Sequence, residues 1–187
     1  MRVEDIFCDL PTLGTKRLLL RKLSLSDTAD VFEYNSDPEV SKYMTWQAHR
    51  SPEETREFIE TIIRRYCKGQ VAPWGIELRE NTKLIGSCGF TAWDTDHARG
   101  EVGFVLSPNY SGRGYMTEAL REVISFGFRR MALNRIEARC MIHNRASARL
   151  LERVGMMREG VLRQQICIRG IYYDMEMYSI LRQEYIF

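Results

Sequence analysis

The stretch Gly103-Phe104-Val105-Leu106-Ser107-Pro108-Asn109-Tyr110-Ser111-Gly112-Arg113-Gly114-Tyr115-Met116-Thr117-Glu118-Ala119 passes from an apolar β-type run, through a proline and a glycine-rich turn, into a helical pattern. Phe104, Val105 and Leu106 form the strand end, and Pro108, which has no amide to donate, stops its pairing. From Thr117 to Met131, Leu120, Val123, Ile124, Phe128 and Met131 recur at helical spacing. A strand, a glycine turn and a helix start in that order can hold phosphate. The first helical amides have no intrahelical partner, the helix dipole favours negative charge, and glycine lets the backbone approach the anion. Arg113 adds a cation. The same order also describes a plain tight connection between strand and helix. The loop is neither a dinucleotide fingerprint nor a P-loop, because Gly114 is followed by Tyr115 and the P-loop lysine and hydroxyl are absent.

Outward from this loop, Trp74 to Arg79, Leu84 to Trp93 and Glu101 to Leu106 have strand character. Asn81-Thr82 and Asp94 to Gly100 supply turns, which predicts an antiparallel meander. Earlier still, Arg17 to Leu23 predicts a first strand, followed by a helix capped by Ser26 and broken at Asp37-Pro38. Ser51-Pro52-Glu53-Glu54 opens a second helix, with Phe58, Ile59, Ile62 and Ile63 on one side and Gly69 at its end. Beyond the central helix, Arg135 to Ile142 alternates as a strand and Asn144 caps a helix to Val154 that Gly155 terminates. Strands at Gly160 to Ile168 and Tyr172 to Leu181 join at Arg169-Gly170. The expectation is one α+β domain over residues 1–187, with a central mixed, mostly antiparallel sheet of about seven strands flanked by helices.

The 187 residues are 44% hydrophobic, enough for a single core, and carry a net charge of +2. Acids and bases are mixed, without the concentrated basic face that binding to a nucleic-acid backbone requires. No run of about 18 apolar residues and no signal-like leader occurs. The expectation is a cytoplasmic protein with no nucleic-acid and no membrane partner. Cys8, Cys67, Cys88, Cys140 and Cys167 are scattered and odd in number, which predicts buried reduced thiols. With His49, His97 and His143 also far apart, no metal site is expected.

Gly103-Phe104-Val105-Leu106, a five-residue spacer and Gly112-Arg113-Gly114-Tyr115-Met116-Thr117-Glu118-Ala119 together resemble the acetyl-CoA motif of the GNAT superfamily of N-acetyltransferases, usually written Q/R-x-x-G-x-G/A. Ser111 stands at the Q/R position and Met116 at the last, departures that are commonplace in the RimJ/RimL branch, which acetylates protein N-termini. Three further segments resemble that branch. They are Thr15-Lys16-Arg17-Leu18-Leu19-Leu20-Arg21 with Ser26-Asp27 and Asp37-Pro38-Glu39-Val40, the run from Asn144 to Met156, and Tyr173-Asp174 with Tyr178. The likeness spans Thr15 to Leu181.

The resemblance implies a sheet splayed between the fourth and fifth strands, with acetyl-CoA as co-substrate in the gap. Phe104, Val105 and Leu106 would bind its pantetheine arm through exposed strand-edge amides and carbonyls. The segment Ser111, Gly112, Arg113, Gly114, Tyr115, Met116 and Thr117 would bind its pyrophosphate, and Asn144 would add a contact. A strand amide around Val105 would face the developing oxyanion. Transfer in this family is direct, so the protein must orient the amine and move protons. Leu151 occupies the position of the acid tyrosine of many members, and Ser147 is the RimL-like alternative. Two roles stay open for Ser147, the proton donor to the departing thiolate and a first-turn residue bonding its own helix. Glu101 is the candidate base, one residue out of register with the glutamate of related enzymes, with Asp94, Asp96 and Asp174 as other carboxylates. Trp46, Trp74, Trp93, Tyr172 and Tyr173 are candidates for the acceptor side. The expected acceptor is a protein N-terminus. A small-molecule amine and a non-catalytic acyl-CoA-binding module are the alternatives, and a homodimer is compatible with all three.

Overall fold

The computed structural model describes residues 2–185. Its strands are β1 (Leu13–Gly14), β2 (Leu18–Arg21), β3 (Trp74–Leu78), β4 (Leu84–Asp94), β5 (Arg99–Leu106), β6 (Arg135–Met141), β7 (Met157–Ile168) and β8 (Ile171–Leu181). They form one sheet in the order β1-β2-β3-β4-β5-β6-β8-β7, antiparallel throughout except between β5 and β6. The helices are α1 (Glu4–Phe7), α2 (Thr28–Asn35), α3 (Pro38–Ser41), α4 (Pro52–Cys67), α5 (Tyr115–Arg129) and α6 (Arg145–Arg153). The mixed, mostly antiparallel architecture is the expected one.

The sheet has eight strands where about seven were expected. The added strand, β1, is two residues long and shows no alternation. It is held by pairing with Leu19 and Leu20, while the Arg79 guanidinium donates to the carbonyls of Thr15 and Leu18 in the turn (3.0 Å each). The cap of α2 is corrected. Asp27, not Ser26, organises that turn, accepting from the Ser24 amide (2.8 Å) and from both terminal nitrogens of Arg21 (2.9 and 2.7 Å). The central helix starts at Tyr115, two residues before the expected Thr117, because Gly114 turns the chain in a left-handed conformation (φ 78°). Ser51 caps α4 as predicted, accepting from the Glu54 amide. Only Cys88 and Cys140 are buried. Cys8, Cys67 and Cys167 are exposed, two of them at helix ends and the third on the edge strand β7.

Helix α5 lies on the sheet face that carries Trp74, Phe90 and Ile136. Phe126 meets Trp74 edge to face (5.3 Å), and Gly127 brings the helix backbone onto Phe90 and Ile136. The opposite face, which carries Arg21 and Glu77, is covered from α2 and α4. Arg21 ties Asp27 to Glu77 there, and Tyr66 of α4 accepts from the Leu23 amide while donating to the Pro73 carbonyl.

The pairing between β5 and β6 stops almost as soon as it starts. Arg99, Gly100 and Glu101 align with Arg135, Ile136 and Glu137, and beyond Glu101 the strands part. A bulge at Thr91 in β4 lies opposite this point, between the pairs Phe90–Val102 and Ala92–Glu101, and bulges add local twist. Glu101 binds Arg139 of β6 through two hydrogen bonds (2.9 and 2.7 Å), clamping the last paired rung. The expected splay between the fourth and fifth strands is this gap, numbered β5 and β6 once β1 is counted.

A Cβ at Gly127 would lie 2.7 Å from Phe90 and 2.9 Å from Ile136. We predict that Gly127→Val lowers the unfolding free energy by about 1–3 kcal/mol through overpacking, measured by denaturant titration. An unchanged midpoint would mean that α5 is not seated on the sheet at this contact.

Candidate active site

The open edge of β5 is the starting point. Val105 is opposite Ser87, and the Ser107 amide donates to the Ile85 carbonyl (2.8 Å), so the ladder turns the backbone groups of Val105 and Ser107 towards β4. By alternation, the amides and carbonyls of Phe104 and Leu106 point into the gap. The strand amide expected around Val105 to face an oxyanion is therefore that of Phe104 or Leu106.

At the end of β5 the chain makes one turn at Pro108–Tyr110 and enters the glycine loop. Gly112 (φ 76°) and Gly114 (φ 78°) are both left-handed, a conformation that costs an L-residue about 1–2 kcal/mol. The Ser111 amide is already bonded to the Pro108 carbonyl (3.0 Å). The amides from Gly112 to Thr117 have no backbone partner among the described residues. Six consecutive unpaired donors at the start of a 15-residue helix suit a pyrophosphate.

A cavity of about 370 Å³ joins these two features. Phe104, Val105 and Leu106 line one side, and Ser111, Gly112, Gly114, Tyr115, Met116 and Thr117 line the end. Asn144 and Ser147, on the first turn of α6, line the other side. The Asn144 side chain caps α6 by accepting from the Ser147 amide (3.1 Å). Burial pushes the Cys140 thiol up to about 11. Of the residues singled out from sequence, Arg113 and Glu101 lie outside the cavity. The exposed Arg113 guanidinium sits 5.7 Å from the Tyr110 ring, and Glu101 is bound to Arg139.

A second cleft, of about 500 Å³, meets the first at Glu39 and Met44. Its walls are α3 with the following segment (Lys42, Gln47) on one side, and Met141 with the β7–β8 turn (Arg169, Ile171, Tyr173) on the other. Of the aromatic candidates only Tyr173 lines it. Trp74 is fully buried and donates to the Pro11 carbonyl, Trp93 packs on Phe7, Trp46 packs beside His49, and Tyr172 is exposed next to the cleft. Asp94 is engaged by Arg99 and the His97 amide, and Asp174 by the Gln164 amide. Glu39 is the one carboxylate lining both spaces. Glu39 belongs to the Asp37-Pro38-Glu39-Val40 segment of the family resemblance, but the sequence did not single it out as a site residue. Among the described residues, no cluster of His, Cys, Asp and Glu could hold a metal ion, and no helix is long and apolar enough to cross a membrane.

Residues 17–157 match the model of the acetyltransferase (GNAT) domain family. The chain belongs to the GNAT acetyltransferase family. It is 37% identical to the uncharacterized N-acetyltransferase p20 of Bacillus licheniformis over 94% of this chain and 99% of that protein. A GNAT-family acetyltransferase from Bacillus anthracis superposes with a TM-score of 0.84 at 32% identity, covering 93% of this chain and all of the other. The RimL ribosomal-protein alpha-N-acetyltransferase, solved with coenzyme A, shares the fold at a TM-score of 0.81 and 22% identity, over 91% of this chain and 98% of its own. This GNAT protein is thus an acetyl-CoA-dependent N-acetyltransferase, and the residues around the open β5 edge fit its co-substrate. The β5 edge offers strand-like donors and acceptors, and the glycine loop offers unpaired amides.

Gly114→Glu would put bulk, a strained φ and a negative charge at the pyrophosphate end. Like charges brought together cost several kcal/mol, so we predict a loss of coenzyme A affinity on the order of a hundredfold or more by calorimetry. Affinity equal to the parent would remove the glycine loop from the site.

Proposed function

We propose that this GNAT enzyme acetylates the N-terminal α-amine of a protein. The observation that carries the proposal is the mouth of the second cleft. Ile171 and Tyr172, at the β7–β8 turn, are 58% and 63% exposed. Large apolar side chains held in water beside a cleft offer a surface to a polypeptide that continues beyond its amine. A small amine would leave them uncovered. The likeness in fold to RimL agrees with this assignment.

The chemistry of such an acceptor suits the residues present. At pH 7 an α-amine with a pKa of about 7.7–8.0 is roughly one-tenth or more in its neutral form, against fewer than one in a thousand for lysine at about 10.4. A dedicated base is therefore unnecessary. Water beside Glu39 can take the proton, and Glu101 serves by holding Arg139 across the start of the gap. Acetyl-CoA supplies the acyl group for direct attack, with the Phe104 amide facing the oxyanion and Ser147 protonating the departing thiolate.

With Ser147→Ala we predict a fall in kcat of about a hundredfold, the lower range for a positioned acid, with the KM for acetyl-CoA unchanged. A parental kcat would leave Ser147 only its place in the helix cap. In thiol-release assays, peptides with free N-termini should outperform polyamines and amino sugars, and Tyr172→Ala should raise the KM for peptides alone. Faster turnover of a small amine than of any peptide would favour the small-molecule alternative.

A further inference from the structure

The segment Thr15 to Arg17 lies more than 90 residues before the glycine loop, yet it contacts the loop from behind. Glu118, the fourth residue of α5, follows directly on the loop and carries a charge of the same sign as a pyrophosphate. Its carboxylate accepts from the Thr15 hydroxyl (2.6 Å), the Arg17 amide (2.9 Å) and the Arg17 Nε (2.7 Å). Burial opposes ionisation of Glu118, but these three donors outweigh it and hold the carboxyl below the usual range.

The same guanidinium reaches the loop itself. Arg17 donates to the carbonyl of Arg113 (3.0 Å), stacks 4.4 Å above the Tyr115 ring, and lies 3.6 Å from where a Cβ on Gly114 would be. One side chain thus touches the residues before, at and after the left-handed Gly114. A planar group with donors on two edges can bind a carboxylate and a carbonyl while its face covers a ring, which an ammonium cannot do.

We propose that Arg17 is a positioning residue for acetyl-CoA: by bridging Glu118, the Arg113 carbonyl and the Tyr115 ring, it neutralises Glu118 and holds the glycine loop in the shape that receives the pyrophosphate. The proposal rests on the glycine loop being the pyrophosphate site, which the Gly114→Glu variant tests separately. If Arg17 acts through the phosphates, its loss matters only for ligands that carry them. A bond that merely tied β2 to α5 would matter equally for all ligands.

The test compares coenzyme A, measured by titration calorimetry, with pantetheine, which lacks the pyrophosphate, measured by ligand-observed NMR. Arg17→Ala should weaken coenzyme A binding on the order of tenfold and leave pantetheine affinity unchanged. Arg17→Lys, which keeps the charge, should lose several-fold on coenzyme A alone, and carries the test if the alanine variant does not fold. Parental affinity for coenzyme A, or equal losses on both ligands, would overturn the proposal.

Discussion

The structure depends on a pairing that is not made. Strands β5 and β6 hold three rungs and then separate, leaving one edge of β5 with unpaired amides and carbonyls in the middle of a sheet. Backbone groups in a protein interior are costly to leave unsatisfied, so an internal edge of this kind needs a partner that behaves like a strand. The pantetheine arm of acetyl-CoA carries amides and carbonyls at suitable spacing. The bulge at Thr91 and the Glu101–Arg139 clamp mark where pairing ends and the gap begins.

Everything else at the site is arranged around that gap. At one end the glycine loop presents unpaired amides, shaped by two left-handed glycines and braced by Arg17. On the side across from β5, α6 brings Ser147 to the cavity, with its amide donating to the Asn144 side chain. The second cleft meets the first cavity at Glu39 and Met44. This geometry fits direct transfer, in which the protein orients the reactants and moves protons but forms no bond to the acyl group.

Electrostatics on the sheet face away from α5 follows from the same gap. Glu101 and Glu137 are facing partners on adjacent parallel strands, a like-charge pair that would push the strands apart. Arg139 binds Glu101, while Arg135 and Arg99 bind Glu137, so the rung is neutralised while the strands beyond it stay separate. Glu101 is thus occupied by Arg139 and lies outside the cavity.

Much of the fold was legible from local signals. Ser51 and Asn144 are caps with their side chains on the expected amides, and the turn at Arg169-Gly170 has positive φ at both positions. Gly112 and Gly114 mark the loop because the left-handed region favours glycine, and the apolar spacing of α5 reflects the face it buries. These are properties of a few neighbouring residues, which is why the sequence alone determined them, and with them the family. Tertiary structure decided what depends on distant partners. The two-residue β1 exists only through its pairing, Glu101 is occupied because Arg139 stands on the next strand, and Val105 faces β4 because the ladder's phase is set by Ser107 and Ile85. The pairing of Arg17 with Glu118 joins residues 101 positions apart, and no local pattern encodes a contact of that span.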